Sequence, residues 1–323
     1  MKIALKSLAV AAIAVMSVQT SHAADEYPAR PIRMVVPFAP GGGADNSARK
    51  IVEPLSKALG QTVVIENKSG AGGTVGAGIV AKAAPDGYTL LYTTAGQQMT
   101  APYLLPSLQY DPFKDLASVG RIAEGTSVLV VNKDLPVHSV QELIDYAKAH
   151  PGKLSFASSG IGSTSHLGGE LFKKMAGIDI VHVPYRGTGP AMNDVIGGRV
   201  AMAIDNISVY MPHIKSGELR ALGTSRKERS PIAPDIPAIA ETLPGFEAFP
   251  INYLTVPAGT SEDVIRTLNT ALNRTLNDEG LEDYFRSQGT LLLPTSPKEM
   301  DELVRTEQQK WKELIESANI KLE

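Results

Sequence analysis

The amino-acid sequence predicts an α/β protein built as two lobes. Short apolar runs of strand length alternate with helix-length segments along almost the whole chain, which is the pattern of layered α/β folds. The 323 residues, 43% of them hydrophobic, suffice for two cores. A proline-rich stretch after Ser230 interrupts the alternation before one further strand and three helices.

In chain order, apolar runs at 32–38, 62–67, 89–94 and 117–123 predict strands of a mainly parallel sheet, with helices near 46–59 and 73–82 between them. The middle of the chain predicts a second α/β lobe. Its strands are expected at 127–132, 154–157, 180–183, 200–204 and 219–224, with helices at 140–149, from Thr164, and at 190–197. The segment "SPIAPDIPAIAETLPGFEAFP" is rich in proline, which lacks the N–H that a helix or central strand needs, so it predicts an extended surface connection. A strand at 249–256 and helices at 262–277, 279–288 and 297–318 follow. The last helix opens with a capping box of Ser296 and Glu299 and with Pro297 at its first position. Connections near 123–128 and 244–249 would form a hinge about which the lobes close on a small molecule.

The opening stretch "MKIALKSLAVAAIAVMSVQTSHAADEYP" has Lys2 and Lys6, an apolar run from Leu8 to Val18 and the triplet Ser21-His22-Ala23. These features describe a secretory signal peptide over 1–23, with a mature start at Ala24. Its apolar run is shorter than the ~20 residues that span a bilayer. The chain has no cysteine, which excludes disulfides, thiolate metal sites, a cysteine nucleophile and a lipid-modified cysteine anchor. An exported chain without a tether is expected in a periplasm, where free nucleotides are scarce, and no cofactor is expected. The net charge of −3 and the pI of 6.1 argue against nucleic acid and anionic membrane surfaces as partners.

The stretch "PFAPGGGADNSAR" passes from an apolar run through three glycines into a helix. Such a junction favours anions, because a helix start presents unpaired N–H groups and glycine admits close approach. It is not a P-loop, since no lysine followed by Ser or Thr stands at the required spacing after the glycines. The Gly76–Ala81 stretch fits only the loose dinucleotide fingerprint, and the strand expected at 89–94 brings no acid for a ribose. An exported hydrolase finds little support. Ser47 and Lys50 fit S-x-x-K, but S-D-N, K-T-G, G-x-S-x-G and H-E-x-x-H are all missing.

Four stretches together resemble the Bug family: "YPARPIRMVVPFAPGGGADNSAR", "VVIENKSGAGGTVGAGIVAKAAPDGYTLLYTT", "FASSGIGSTSHLGGELFKKMAGIDIVHVPYRGTGPAMNDVIGGRVAMAIDN" and "LRALGTSRKERSPIAPDIPAIAETLPGFE". The resemblance covers essentially the whole mature chain. It implies a periplasmic substrate-binding protein of the tripartite tricarboxylate transporters, with a two-lobed periplasmic-binding-protein fold of type 2. Lobe 1 would comprise 24–125 and 246–323, and lobe 2 would comprise 126–245. A carboxylate-bearing ligand would lie in the cleft, and membrane transporter subunits would be the partners of a monomer. Members of the family differ widely in ligand, so the acid itself is left open. A ligand-dependent sensor is the alternative role.

Within this framework two helix starts stand out. Ser139 and Ser296 have Glu142 and Glu299 three residues later, so those helices neutralise their own positive ends. The helix after "SSGIGSTSH" has no acid before Glu170, and the one after "YRGTGP" has none before Asp194. Ser158, Gly162, Ser163, Thr164 and His166 in the first turn, with Arg186 and Gly187 in the second, are therefore candidate carboxylate receptors. In the glycine loop, Gly42 and Gly43 would bring backbone groups to the cleft, directly or through water. Phe38 and Pro40 form an apolar wall, or Phe38 belongs to the core. Asp45 caps its helix or meets an amino or hydroxyl group of the ligand. Asp205 orders the polar network, faces a ligand donor or serves a plain turn. His166 and Glu170 stand four apart on one helix, but no third metal ligand is identifiable and no metal is expected.

Overall fold

The apolar run ahead of the glycine loop forms β1 (Ile32–Val36), which lies next to the edge of the first sheet in a computed structural model. The structure describes residues 27–41, 43–105, 107–185 and 187–320. The signal segment 1–23, Gly42 and Arg186 lie outside the described residues. The chain continues through α1 (Gly43–Leu59), β2 (Val63–Asn67), a short 3-10 turn (Ala71–Gly73), α2 (Thr74–Ala81) and β3 (Thr89–Thr94). A π-helical turn (Gly96–Thr100) and α3 (Ala101–Leu104) lead to β4 (Leu116–Gly125).

The second lobe holds β5 (Ser127–Asn132), α4 (Val140–Ala149), β6 (Leu154–Ser158), α5 (Thr164–Ala176), β7 (Ile180–Pro184), α6 (Thr188–Ile196), β8 (Met202–Asn206), α7 (Ile207–Lys215) and β9 (Leu219–Thr224). After the proline-rich segment come β10 (Ile251–Pro257), α8 (Glu262–Leu276), α9 (Glu279–Ser287), β11 (Thr290–Leu292) and α10 (Pro297–Ser317).

The strands form two sheets, ordered β11-β4-β10-β3-β1-β2 and β7-β6-β8-β5-β9. The mainly parallel sheets expected from the sequence are in fact mixed. β1 runs parallel to β2 and β3, and β6 parallel to β7 and β8, through helical crossovers. The strands beside the passage between lobes are antiparallel: β10 to β3 and β4, β11 to β4, and β5 to β8 and β9. Directions reverse there because β4 leaves the first sheet directly into β5, whereas β10 re-enters from the other lobe.

In the first lobe Met34, Val36, Ile51, Leu55, Leu254 and Leu272 share one buried core. The second core joins Leu129, Phe156, Ile204, Leu143 and Phe172 of lobe 2 to Met300, Val304, Trp311, Leu314 and Ile315 of α10. The terminal helix is thus held by both lobes. Full burial of each of these large side chains stabilises by about 1.5–3 kcal/mol. The proline-rich segment is also more than a surface strap, since it buries Ala238, Ile239, Phe246, Ala248 and Phe249.

At the passage between sheets, Gly125 N–H donates to Pro250 O at 2.8 Å, and Thr126 N–H to Gly289 O at 2.9 Å. Beside it the buried Glu124 carboxylate lies between Arg121 and Arg226, the latter at 2.7 Å.

Candidate functional site

A cavity of about 730 Å³ opens between the two sheets. Its walls are strand ends and the helix starts that follow them, the usual ligand position in open α/β sheets. Lobe 1 supplies Phe38 beyond β1, Gly43, Ala44, Asn46 and Ser47 in the first turns of α1, and Thr94–Gly96 beyond β3. Lobe 2 supplies Ser159–Ser165 between β6 and α5, Thr188 at the start of α6, and Asp205 and Asn206 at the end of β8. Pro250 to Asn252 join the lining where the chain re-enters the first sheet.

The turn before α5 is held by hydroxyls. Ser163 caps the helix, accepting His166 N–H at 3.2 Å and donating to Gly160 O at 2.6 Å. Ser165 Oγ accepts Ser159 N–H at 2.9 Å and lies 3.0 Å from Ser163 Oγ. Gly160 and Gly162 sit at φ +139° and +77°, where a side chain would strain the backbone. The N–H groups of Thr164 and Ser165 meet no acceptor among the described residues. With no acid in its first turn, α5 offers the cleft its uncompensated positive end.

Ser158 and His166 do not reach the wall, which corrects their expected place among the ligand contacts. Ser158 is fully buried and lies 2.7 Å from His182 Nε2. His166 Nδ1 accepts Gly162 N–H at 3.0 Å, so its ring shapes the receptor turn from behind. Burial, and after it the neighbouring His182, lowers the His166 pKa to about 4. Among the described residues no three His, Cys, Asp or Glu side chains are placed to hold a metal.

Asp45 is buried and outside the cavity lining, and as the third residue of α1 it reaches back to the loop before the helix rather than serving as its N-cap. Its carboxylate accepts Gly41 N–H at 2.9 Å, Arg49 Nε–H at 2.8 Å and Asn67 Nδ2–H at 2.8 Å. The Arg49 hydrogen bond foremost, with those from Gly41 and Asn67, holds its pKa down to about 2 against the opposing effect of burial. Asn67 also donates to Phe38 O at 3.0 Å, so Asp45 and Asn67 together fix the loop that carries Phe38 and Gly43. Pro40 is exposed and outside the lining, because the loop turns outward at Gly41, φ +82°.

At α6 the expected contact Gly187 instead donates its N–H to Ser159 O at 3.0 Å, and Thr188 takes the place at the wall. Thr188 Oγ1 donates to Asp205 Oδ2 at 2.9 Å, and Asn206 N–H to Asp205 Oδ1 at 2.8 Å. Asp205 is buried at the cleft edge, and burial raises its pKa above the ordinary carboxylate range. Of the expected ligand residues, Phe38, Gly43, Gly162, Ser163, Thr164 and Asp205 line the one cavity.

Several lining residues were not expected. The wall at Thr94–Gly96 is fixed by buried Gln97, which accepts Thr94 N–H at 2.7 Å and donates to Gly72 O at 2.9 Å. Tyr284, Gln288 and Thr290 arrive from the C-terminal return, to which no local pattern points. Among the described lining residues there is no lysine or arginine, and Asp205 is the one acid. The described lining thus offers an anion oriented backbone N–H groups and hydroxyls.

Comparisons with known proteins agree with this architecture. Residues 47–320 match the family described as the tripartite tricarboxylate transporter family receptor. Protein BugT of Bordetella pertussis is 38% identical over 312 residues, 96% of each chain. The solved structure of R. palustris Rpa4515 with adipate is 37% identical, covers 92% of this chain and all of its own, and superposes with a TM-score of 0.79. MatC from Rhodopseudomonas palustris with bound malate is 35% identical over 90% of this chain and all of its own, with a TM-score of 0.74. The periplasmic-binding-protein fold and the Bug resemblance read from the four sequence stretches are both borne out, and the chain belongs to the tripartite tricarboxylate transporter receptor family.

Proposed function

We propose that the protein is a periplasmic solute-binding protein that captures a small carboxylate-bearing molecule between its lobes and delivers it to a tripartite tricarboxylate transporter. The convergence of helix starts carries this reading. α1 from one lobe and α5 and α6 from the other aim their first turns at one cavity, and neither α5 nor α6 brings an acid to its own end. Relatives solved with adipate and malate support a carboxylate as the ligand class.

In this reading 24–125 with 246–323 form one lobe and 126–245 the other, and 1–23 directs export to the periplasm. Ser163 and Thr164 receive a carboxylate, Gly42 and Gly43 face it from the opposite lobe, and Arg186 and Gly187 flank it. The protein acts as a single copy and releases its ligand chemically unchanged.

A ligand of the native state raises the melting temperature by mass action. In a thermal-shift panel of small mono- and dicarboxylates, at least one acid should stabilise the protein while its methyl ester or amide does not. Equal stabilisation by acid and ester would overturn the reading. Native mass spectrometry should recover the bound acid intact, and a converted product would indicate an enzyme.

A further inference from the structure

An acid is an unfavourable lining for an anion receptor, yet Asp205 stands in the cleft beside the starts of α5 and α6. It is more than nine-tenths buried, at 9% exposure, where a carboxylate is costly unless its oxygens are bonded. Thr188 Oγ1 donates to Oδ2 and Asn206 N–H to Oδ1, and the Ser165 hydroxyl is a third hydrogen-bond partner of the carboxylate. A carboxylate offers about four lone-pair positions, so acceptor capacity remains on a group that faces the cleft.

The turn itself does not require this acid. Asn206 already caps α7, accepting Ser208 N–H at 2.9 Å. The Thr188 bond could equally be made by an asparagine, whose Nδ2 would donate to the threonine hydroxyl. A negative charge at this position partly neutralises the positive helix ends beside it, and its oxygens are also acceptors for any donor that enters the cleft. Thr188 belongs to both features, as the first residue of α6 and as the donor to Asp205. Backbone donors for a carboxylate and a side-chain acceptor for a donor thus stand next to each other.

Resting on the carboxylate reading, we propose that Asp205 is a specificity-determining residue that receives a hydrogen-bond donor carried beside one ligand carboxylate. The cleft then selects 2-hydroxy or 2-amino acids over the same acids without the substituent. The carboxylate takes the N–H groups at the helix starts, and the neighbouring hydroxyl or ammonium donates to Asp205.

Calorimetric titration of matched acids at neutral pH tests this: succinate with malate and aspartate, glutarate with 2-hydroxyglutarate and glutamate, adipate with 2-aminoadipate. A hydrogen bond to a charged acceptor should favour the substituted member of the accepted chain length by about ten- to a hundredfold. In Asp205→Asn that ratio should collapse toward unity, while the unsubstituted acid binds as well as before or better, because the repulsion has gone. Equal affinity within the pairs in the wild-type protein would overturn the proposal while leaving the carboxylate reading intact, and this comparison needs no variant. An unchanged ratio in Asp205→Asn, with all acids weakened alike and a normal circular-dichroism melt, would reduce Asp205 to a structural brace and equally overturn it. Failure of every acid to bind would overturn the carboxylate reading, and this proposal with it.

Discussion

The rings of His166 and His182 lie 3.9 Å apart between centroids and 15° from parallel. His182 in turn stacks on Phe156 at 4.8 Å, so a column of three rings runs from β6 through β7 to the first turn of α5. Because His166 Nδ1 accepts the Gly162 N–H, the column sets the shape of the receptor turn.

Both rings are held neutral. Burial is the main cause for each and lowers both pKa values from 6.5 to about 4, with His182 and Lys173 respectively adding to it. The unfolded chain protonates first as pH falls, so the contribution to stability is complete above about pH 6.5 and is lost progressively toward pH 4. The loss for His166, the more buried ring, should be on the order of 3 kcal/mol. Urea unfolding at a series of pH values should show this decline, and His182→Phe, which keeps a stacked ring but cannot titrate, should flatten it. An equally steep decline in the variant would count against the assignment.

Thr164→Glu places a tethered carboxylate at the α5 start. Loss of a charge-assisted contact corresponds to about ten- to a hundredfold in affinity, and repulsion should weaken acid binding further. The fold should be spared, since an acid in the first helical turn is favourable to the helix. Calorimetry beside a circular-dichroism melt separates the two effects. Near-native affinity in the folded variant would move the carboxylate to the Gly43 wall.

Gly169 lets α5 press against β6. A Cβ there would fall 2.2 Å from Phe156 Cε2, in a column with no slack. Gly169→Ala should therefore destabilise by about 1–3 kcal/mol through overpacking. Gly189→Ala, where nothing lies within 4 Å, is the control and should leave the melting temperature nearly unchanged.

Glu124 is buried between Arg121 and Arg226 at the passage between lobes, whereas Glu53 pairs with Lys57 in full solvent. Glu124→Gln leaves two arginines without their anion and should cost about 3–5 kcal/mol. Glu53→Gln should leave stability nearly unchanged. Chemical denaturation of both variants checks the contrast, and similar costs would refute it.

Local signals recovered much of the frame. α4 and the start of α5 fall where expected because Ser139 and Ser163 cap them, and each cap is visible within three residues of sequence. The π-helical turn and α3 escaped because Gln97, Gln98 and Pro102 break any helical periodicity, their order coming from buried contacts such as Gln98 Nε2 to Pro112 O at 2.6 Å. α7 was hidden by Pro212 within it and by its β-branched start, and β11 by its three-residue length. At the site, the missing acid pointed to α5, whose start lines the cavity. The inward or outward sense of Asp45, Ser158 and His166 depends on partners such as Asn67 and His182, which lie 22, 24 and 16 residues away.

The described lining of the cleft offers an anion main-chain donors, and no lysine or arginine stands among those residues. Main-chain groups are the part of a protein that mutation does not rewrite. A substitution at Phe38, Ile161 or Tyr284 reshapes the space around a ligand but leaves the N–H groups at the starts of α1, α5 and α6 in place. On the proposed carboxylate reading, recognition of the acid group and choice among acids are separately heritable: the first is carried by the backbone, the second by side chains that can change one at a time. On this scaffold a new acid can be acquired without passing through an ancestor that binds none.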